Sequence, residues 1–130
     1  FASRGLIAEH GIAWLLPRLI GEAKALDLLL SARGFKGAEA ESLGLVNKSL
    51  PTEELETFAN NYAKHIAERV SPRSITIMKR QIRAGYSQTF SKSLEIADKE
   101  MFLSFEQDDF KEGVESFVEN RAPQFGGIGK

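Results

Sequence analysis

Apolar residues recur at helical spacing almost from the first residue of the 130-residue chain. Ile12, Trp14, Leu15, Leu16, Leu19 and Ile20 cover much of a helix surface that begins at Glu9 or His10. Pro17 lies inside that run, where its ring and missing N–H predict a break or kink, and Gly21 stops the helix. A second helix is predicted over 22–32, with Ala23, Leu26, Leu29 and Leu30 on one buried face. Arg33-Gly34-Phe35-Lys36-Gly37 reads as a turn with room for a short extended bridge. Residues 38–43 make a short helix closed by Gly44, and 45–50 read as a short strand.

The second stretch of the chain is helical throughout. Pro51-Thr52-Glu53-Glu54 is a helix start, a threonine cap followed by acids in the dipole-positive first turn. Leu55, Phe58, Ala59, Tyr62, Ala63, Ile66 and Ala67 then give an amphipathic helix ending near Val70. Ser71-Pro72 restarts the chain as N-cap and first helical residue, and Gly85 ends that helix. Thr89 caps a further helix whose Phe90, Leu94, Ala97, Met101, Leu103 and Phe105 face a core or a partner. Asp109 and Glu112 have capping-box spacing and open a last helix through Val114, Phe117 and Val118. The tail, Gly126-Gly127-Ile128-Gly129-Lys130, is expected to fray. The pattern predicts a mainly α chain with one short strand and no βαβ alternation.

Composition narrows this picture by exclusion. A hydrophobic share of 42% and a charged share of 27% are ordinary for a water-facing globular domain. The formal net charge is -1, with both signs interspersed, so nothing favours nucleic acid or an anionic membrane as partner. The chain has no cysteine, which removes a disulfide scaffold, a thiolate nucleophile and a cysteine zinc site, and fits a cytoplasmic protein. No apolar run approaches the roughly 18 residues of a membrane span. Phe1 stands where a methionine would, and the chain enters at once on an apolar segment, as a piece of a longer protein would.

Candidate chemistry is sparse. Glu9-His10-Gly11 sets two titratable side chains beside a glycine at a loop-to-helix junction. It reads as a carboxylate base beside a backbone that a substrate can approach, or as a first-turn glutamate favoured by the helix dipole. His10 and His65 are far apart, and neither has a ligand at helical spacing, so no metal site is expected. No serine lies in a Gly-x-Ser-x-Gly elbow, and neither glycine-rich stretch follows a strand as a phosphate cradle must. Lys79, Arg80 and Arg83 form a basic helix face, read as solvated or as a contact for an anionic ligand.

Several segments in order carry a resemblance. They are residues 4–21, 25–31 with Ala38-Glu-Ala-Glu-Ser-Leu-Gly-Leu-Val-Asn47, Ser71-Pro72 through Lys79-Arg80-Gln81, and 105–113. Together they resemble the C-terminal half of the enoyl-CoA hydratase/isomerase (crotonase) superfamily, whose parent fold is an α/β spiral. The resemblance implies a thioester enolate held by backbone N–H donors from the preceding half, with carboxylates moving protons. Hydratases of the family carry a glutamate a few residues before the glycine matched by Gly5, a place held here by Phe1. One isomerase branch has its base four residues after that glycine, where Glu9 stands.

Glu9 is thus the implied acid/base for double-bond isomerisation or hydration of fatty acyl-CoA thioesters. His10, Gly11 and Trp14 are implied to shape the acyl pocket, and Phe117 to contact the adenine of coenzyme A. The lysine that follows this aromatic in some members is Asn120 here, with Arg121 adjacent. No separate cofactor is implied, since coenzyme A enters as part of the substrate. Residues 1–50 are implied to end the catalytic core with part of the acyl-CoA site. Residues 51–130 are implied to be a helical region that builds a homo-oligomer, trimer or hexamer. The rival reading is a non-catalytic helical interaction module with Glu9 as a cap.

Overall fold

A computed structural model describes residues 1–127, which form a short 3-10 turn, Ala2–Arg4, and seven α-helices. These are α1 (Ile12–Ile20), α2 (Glu22–Ser31), α3 (Gly37–Leu43), α4 (Thr52–Arg69), α5 (Pro72–Gly85), α6 (Phe90–Phe105) and α7 (Asp108–Val118). The chain divides into two compact units, Phe1–Glu56 and Thr57–Lys130. The expected fraying tail falls partly outside the described residues, at 128–130.

In the first unit α1 packs on α2 around Leu16, Ile20, Ala25 and Leu28, with Ile12, Leu29, Leu43 and Leu45 against them. The buried face of α2 is therefore not the predicted one: Leu26 and Leu30 remain 47% and 72% exposed. Leu28-Leu29-Leu30 offers an apolar side chain in several directions, so spacing alone cannot choose among them. Ala25, small and 1% exposed, lies on the side that faces α1. Helix α1 also runs through Pro17 without a break. Proline removes one N–H bond here, and the flanking Leu16 and Ile20 hold the turn through burial.

The expected strand at 45–50 does not form, and the described residues contain no strand. Its first N–H is already used. Leu45 donates to the Ala40 carbonyl at 2.9 Å and Gly44 to Glu41 at 3.0 Å, a Schellman close made possible by Gly44 at φ 86°. Glu41 then draws the segment back along α3, accepting from the Ser49 N–H at 2.8 Å and the Lys48 ammonium at 3.0 Å. These bonds hold the Glu41 carboxyl below its ordinary pKa. The approach is tight enough that a Cβ on Gly37 would lie 2.5 Å from Ser49 Oγ.

In the second unit the predicted caps form: Ser71 Oγ accepts from the Ser74 N–H at 3.0 Å, and Thr89 Oγ1 from the Lys92 N–H at 3.2 Å. The capping box does not. Gln107 is the N-cap of α7, and Asp109, already inside the helix, accepts from the Ser71 hydroxyl. Glu112 faces the other end, accepting from the Gln124 N–H at 2.6 Å and pairing with Arg121. Arg73 donates to Ser104 at 2.8 Å and, with Arg80, pairs with Glu100. Among the described residues of this unit only Ser116 is buried, at 4% exposure.

Candidate active site

Glu9, His10 and Gly11 form the entrance to α1. The Ile12 N–H donates to the Glu9 carbonyl at 3.1 Å, closing a four-residue turn. Both central residues of the turn are left-handed, His10 at φ 53° and Gly11 at φ 76°. Positive φ at both centres is the backbone signature of a type I′ turn, which glycine enters freely and histidine only at a cost. Gly11 also serves as N-cap of α1, and its carbonyl accepts from the N–H groups of Trp14 and Leu15, each at 3.0 Å. The Glu9 backbone is thereby tied to the first turn of a helix whose far end is in the core.

The side chains of the turn point outward. Glu9 is about half exposed and His10 almost fully so, with His10 Nε2 3.6 Å from a Glu9 carboxylate oxygen. Trp14, one turn along α1, is 52% exposed and lies under the Arg18 guanidinium, 3.7 Å from the ring centroid. Four of the five predicted site residues thus fall on one turn and the helix it opens. Arg18 was not among them. The signal was present, since a cation four residues after a tryptophan shares its helix face.

Phe117 belongs to the other unit, on the last turn of α7, and is 86% exposed. Asn120 follows at φ 52°. Arg121 is held on both sides, by a fork to Glu112, whose Nη2–Oε2 arm is 3.0 Å, and by Glu119. These partners raise the Arg121 pKa, and Arg121 with the Gln124 N–H lowers that of Glu112 to about 2. A guanidinium so engaged is poorly placed to take a phosphate beside Phe117. On α5, Lys79, Arg80 and Arg83 line a shallow groove with Ile75, Thr76 and Ala84, and Arg80 is paired there with Glu100. No group of three or more metal-ligating side chains occurs among the described residues, and no described helix is long and apolar enough to cross a membrane.

The family model described as enoyl-CoA hydratase/isomerase matches residues 1–128. The chain belongs to this family. It is 35% identical over 122 residues to a Mycobacterium bovis protein named "Probable enoyl-CoA hydratase echA8", covering 93% of this chain and 47% of that one. It is 30% identical to the 1,2-epoxyphenylacetyl-CoA isomerase of Escherichia coli, covering 98% and 48%. Among solved structures, the enoyl-CoA hydratase of Bacillus anthracis superposes with a TM-score of 0.86 at 28% identity, over 95% of this chain and 48% of that one. The chain spans about half the length of the curated relatives it matches. Its helices are those of half a crotonase-type subunit.

Proposed function

We propose that the full-length enzyme containing this chain acts on acyl-CoA thioesters, with Glu9 as the acid/base for isomerisation or hydration of an enoyl double bond. Family membership supports the reaction class, and the observation that carries the assignment is the turn at Glu9. The turn fixes the backbone of a carboxylate four residues beyond Gly5 and leaves its side chain open to a ligand. In the isomerase direction Glu9 takes a proton from one carbon of the enoyl group and returns it at the other. The charge developed on the thioester oxygen falls to N–H donors outside this chain. His10, Gly11 and Trp14 border the acyl group in this reading, Phe117 contacts the adenine, and coenzyme A arrives with the substrate.

Assembly into a trimer or hexamer, in the cytoplasm, belongs to the same reading. The exposed aromatic side chains of α6 and α7 support it. They equally favour the second reading, in which the chain is a non-catalytic helical interaction module.

Turnover by the full-length enzyme of 3-enoyl-CoA against 2-enoyl-CoA, followed in the ultraviolet, separates isomerase from hydratase. Glu9→Gln lowers that turnover by about 10²–10⁴-fold, the usual contribution of a positioned acid/base. Normal turnover of this variant on every enoyl-CoA would remove Glu9 from the mechanism.

A further inference from the structure

We propose that Arg18 is a positioning residue: it fixes the Trp14 indole and, through it, the acyl preference of the site that carries Glu9. This rests on the reading of Glu9 as the acid/base. The Trp14 indole, half-exposed on the first turn of α1, is positioned by its contacts rather than by full burial. Arg18 contacts Trp14 at two points. Its guanidinium carbon lies over the ring, 3.7 Å from the centroid, while Nη1 donates to the Trp14 carbonyl at 2.8 Å. The hydrogen bond keeps the cation over the ring, and the planar, forked guanidinium suits both contacts at once.

The indole so held shares one backbone frame with the proposed base. Trp14 donates its N–H to the Gly11 carbonyl, and Ile12 donates to Glu9 across the turn. Pro17, just before Arg18, lies in the same helix without interrupting it. Movement of the Trp14 indole relative to Glu9 is then left to its side-chain torsions, which Arg18 helps to restrain. An aromatic wall at a set distance from a base selects among acyl groups by bulk. It contributes little to the proton transfer itself.

The test uses the full-length enzyme with a series of enoyl-CoA thioesters of increasing acyl bulk. Arg18→Met raises KM for bulky acyl groups by about 3- to 10-fold, as loss of a cation–π contact and its restraint predicts, with kcat almost unchanged. A short acyl thioester is affected by less than about twofold, because it does not reach the wall. Trp14→Leu gives the same selectivity change, and the double variant is no worse than Trp14→Leu alone. Arg18→Lys, which keeps the charge but not the planar stack, shifts KM in the same direction and serves if Arg18→Met does not fold. Equal KM changes for every acyl group, additive effects in the double variant, or an unchanged selectivity in Arg18→Lys would each overturn the proposal. Calorimetric binding of the same thioesters in a Glu9→Gln background reads the Arg18–Trp14 coupling without turnover. Failure of the Glu9 assignment, seen as retained turnover, is thereby kept apart from failure of this one.

Discussion

Residues Phe1–Glu56 close on a buried apolar cluster, whereas in the second unit, from Thr57 on, ion pairs and hydrogen bonds join the helices beside partly buried apolar side chains. Leu16, Ile20, Ala25 and Leu28 are each less than a tenth exposed and form one cluster. Across α5, α6 and α7 the ties include Arg73–Glu100–Arg80, Ser71–Asp109 and the edge-to-face pair Phe105–Phe110, and Glu112–Arg121 closes the end of α7, while Phe90, Phe102, Phe117 and Val118 are 70–86% exposed. An apolar cluster resists unfolding by area removed from water, at about 25 cal/mol per Å². Ion pairs near a surface contribute far less and chiefly set geometry. The first unit thus anchors the Glu9 turn on its own small core, as the acid/base role proposed for Glu9 would require. The second keeps its helices in register while presenting apolar surface outward.

The sharpest way to break this contrast is at Leu28. Leu28→Ala removes a side chain that is 7% exposed in the α1–α2 cluster and should cost about 2–3 kcal/mol, the lower part of the range for such truncations. Amide hydrogen exchange should quicken in α1 and α2 and stay unchanged in α5 to α7. A uniform increase along the chain would mean that the two units are not separately stabilised. Glu100→Gln is the counterpart in the second unit. It leaves Arg73 and Arg80 without their shared carboxylate and should cost about 1–2 kcal/mol, since these groups are partly solvated. Exchange should then quicken in α5 and α6 alone.

Gly11→Ala probes the turn. A Cβ there meets open space, so the cost comes only from φ 76° and should be about 1 kcal/mol. Because Glu9 depends on that turn, activity of the full-length enzyme should fall by more than stability does. A loss of stability with full activity would detach Glu9 from the turn geometry.

The polar ties of the second unit give a pH signature. The Arg121 fork and the Gln124 N–H hold Glu112 at about 2, below its ordinary 4.5. A carboxyl lowered in the folded state contributes stability that is fully present above 4.5 and lost as pH falls toward 2. An NMR titration of the Glu112 carboxyl should show the low midpoint, and Arg121→Gln should raise it. Because this pair lies near the surface and only partly out of water, the effect on global stability is smaller than for Leu28→Ala, Glu100→Gln or Gly11→Ala.

How much of the fold and site is legible in sequence follows the same division. Helix starts are readable where a side chain closes its own local bond, as at Ser71 and Thr89. Asp109 and Glu112 have the same local spacing, but partners distant in sequence or on the far side of the helix, Ser71 and Arg121, claim both carboxylates. The α2 face and the absent strand escape the sequence pattern for a related reason: each depends on what α1 or Glu41 offers in space. The resemblance singles out Glu9, His10, Gly11 and Trp14, and their placement on one turn and the helix it opens follows from their being neighbours in the chain. The left-handed His10 is not, since its conformation is set by closure of the turn rather than by residue preference. Gly37 carries no signal of its own; its constraint comes from Ser49 packed against it.

Phe117→Ser carries the smallest expected effect on the fold and reports most directly on the outward face of α7. At 86% exposure the ring contributes little to its own unit, so stability should change by about 0.5 kcal/mol or less. If the apolar side chains of α6 and α7 meet another copy in the full-length enzyme, sedimentation should show smaller species at a given concentration. Exchange within α7 should stay the same. If Phe117 instead contacts the adenine, assembly should be untouched and KM for acyl-CoA should rise while that for a truncated thioester without adenine should not. The two outcomes separate an aromatic ring that serves assembly from one that serves ligand binding. Neither is expected for an equally conservative change at Leu28, whose side chain is committed to the core of its own unit.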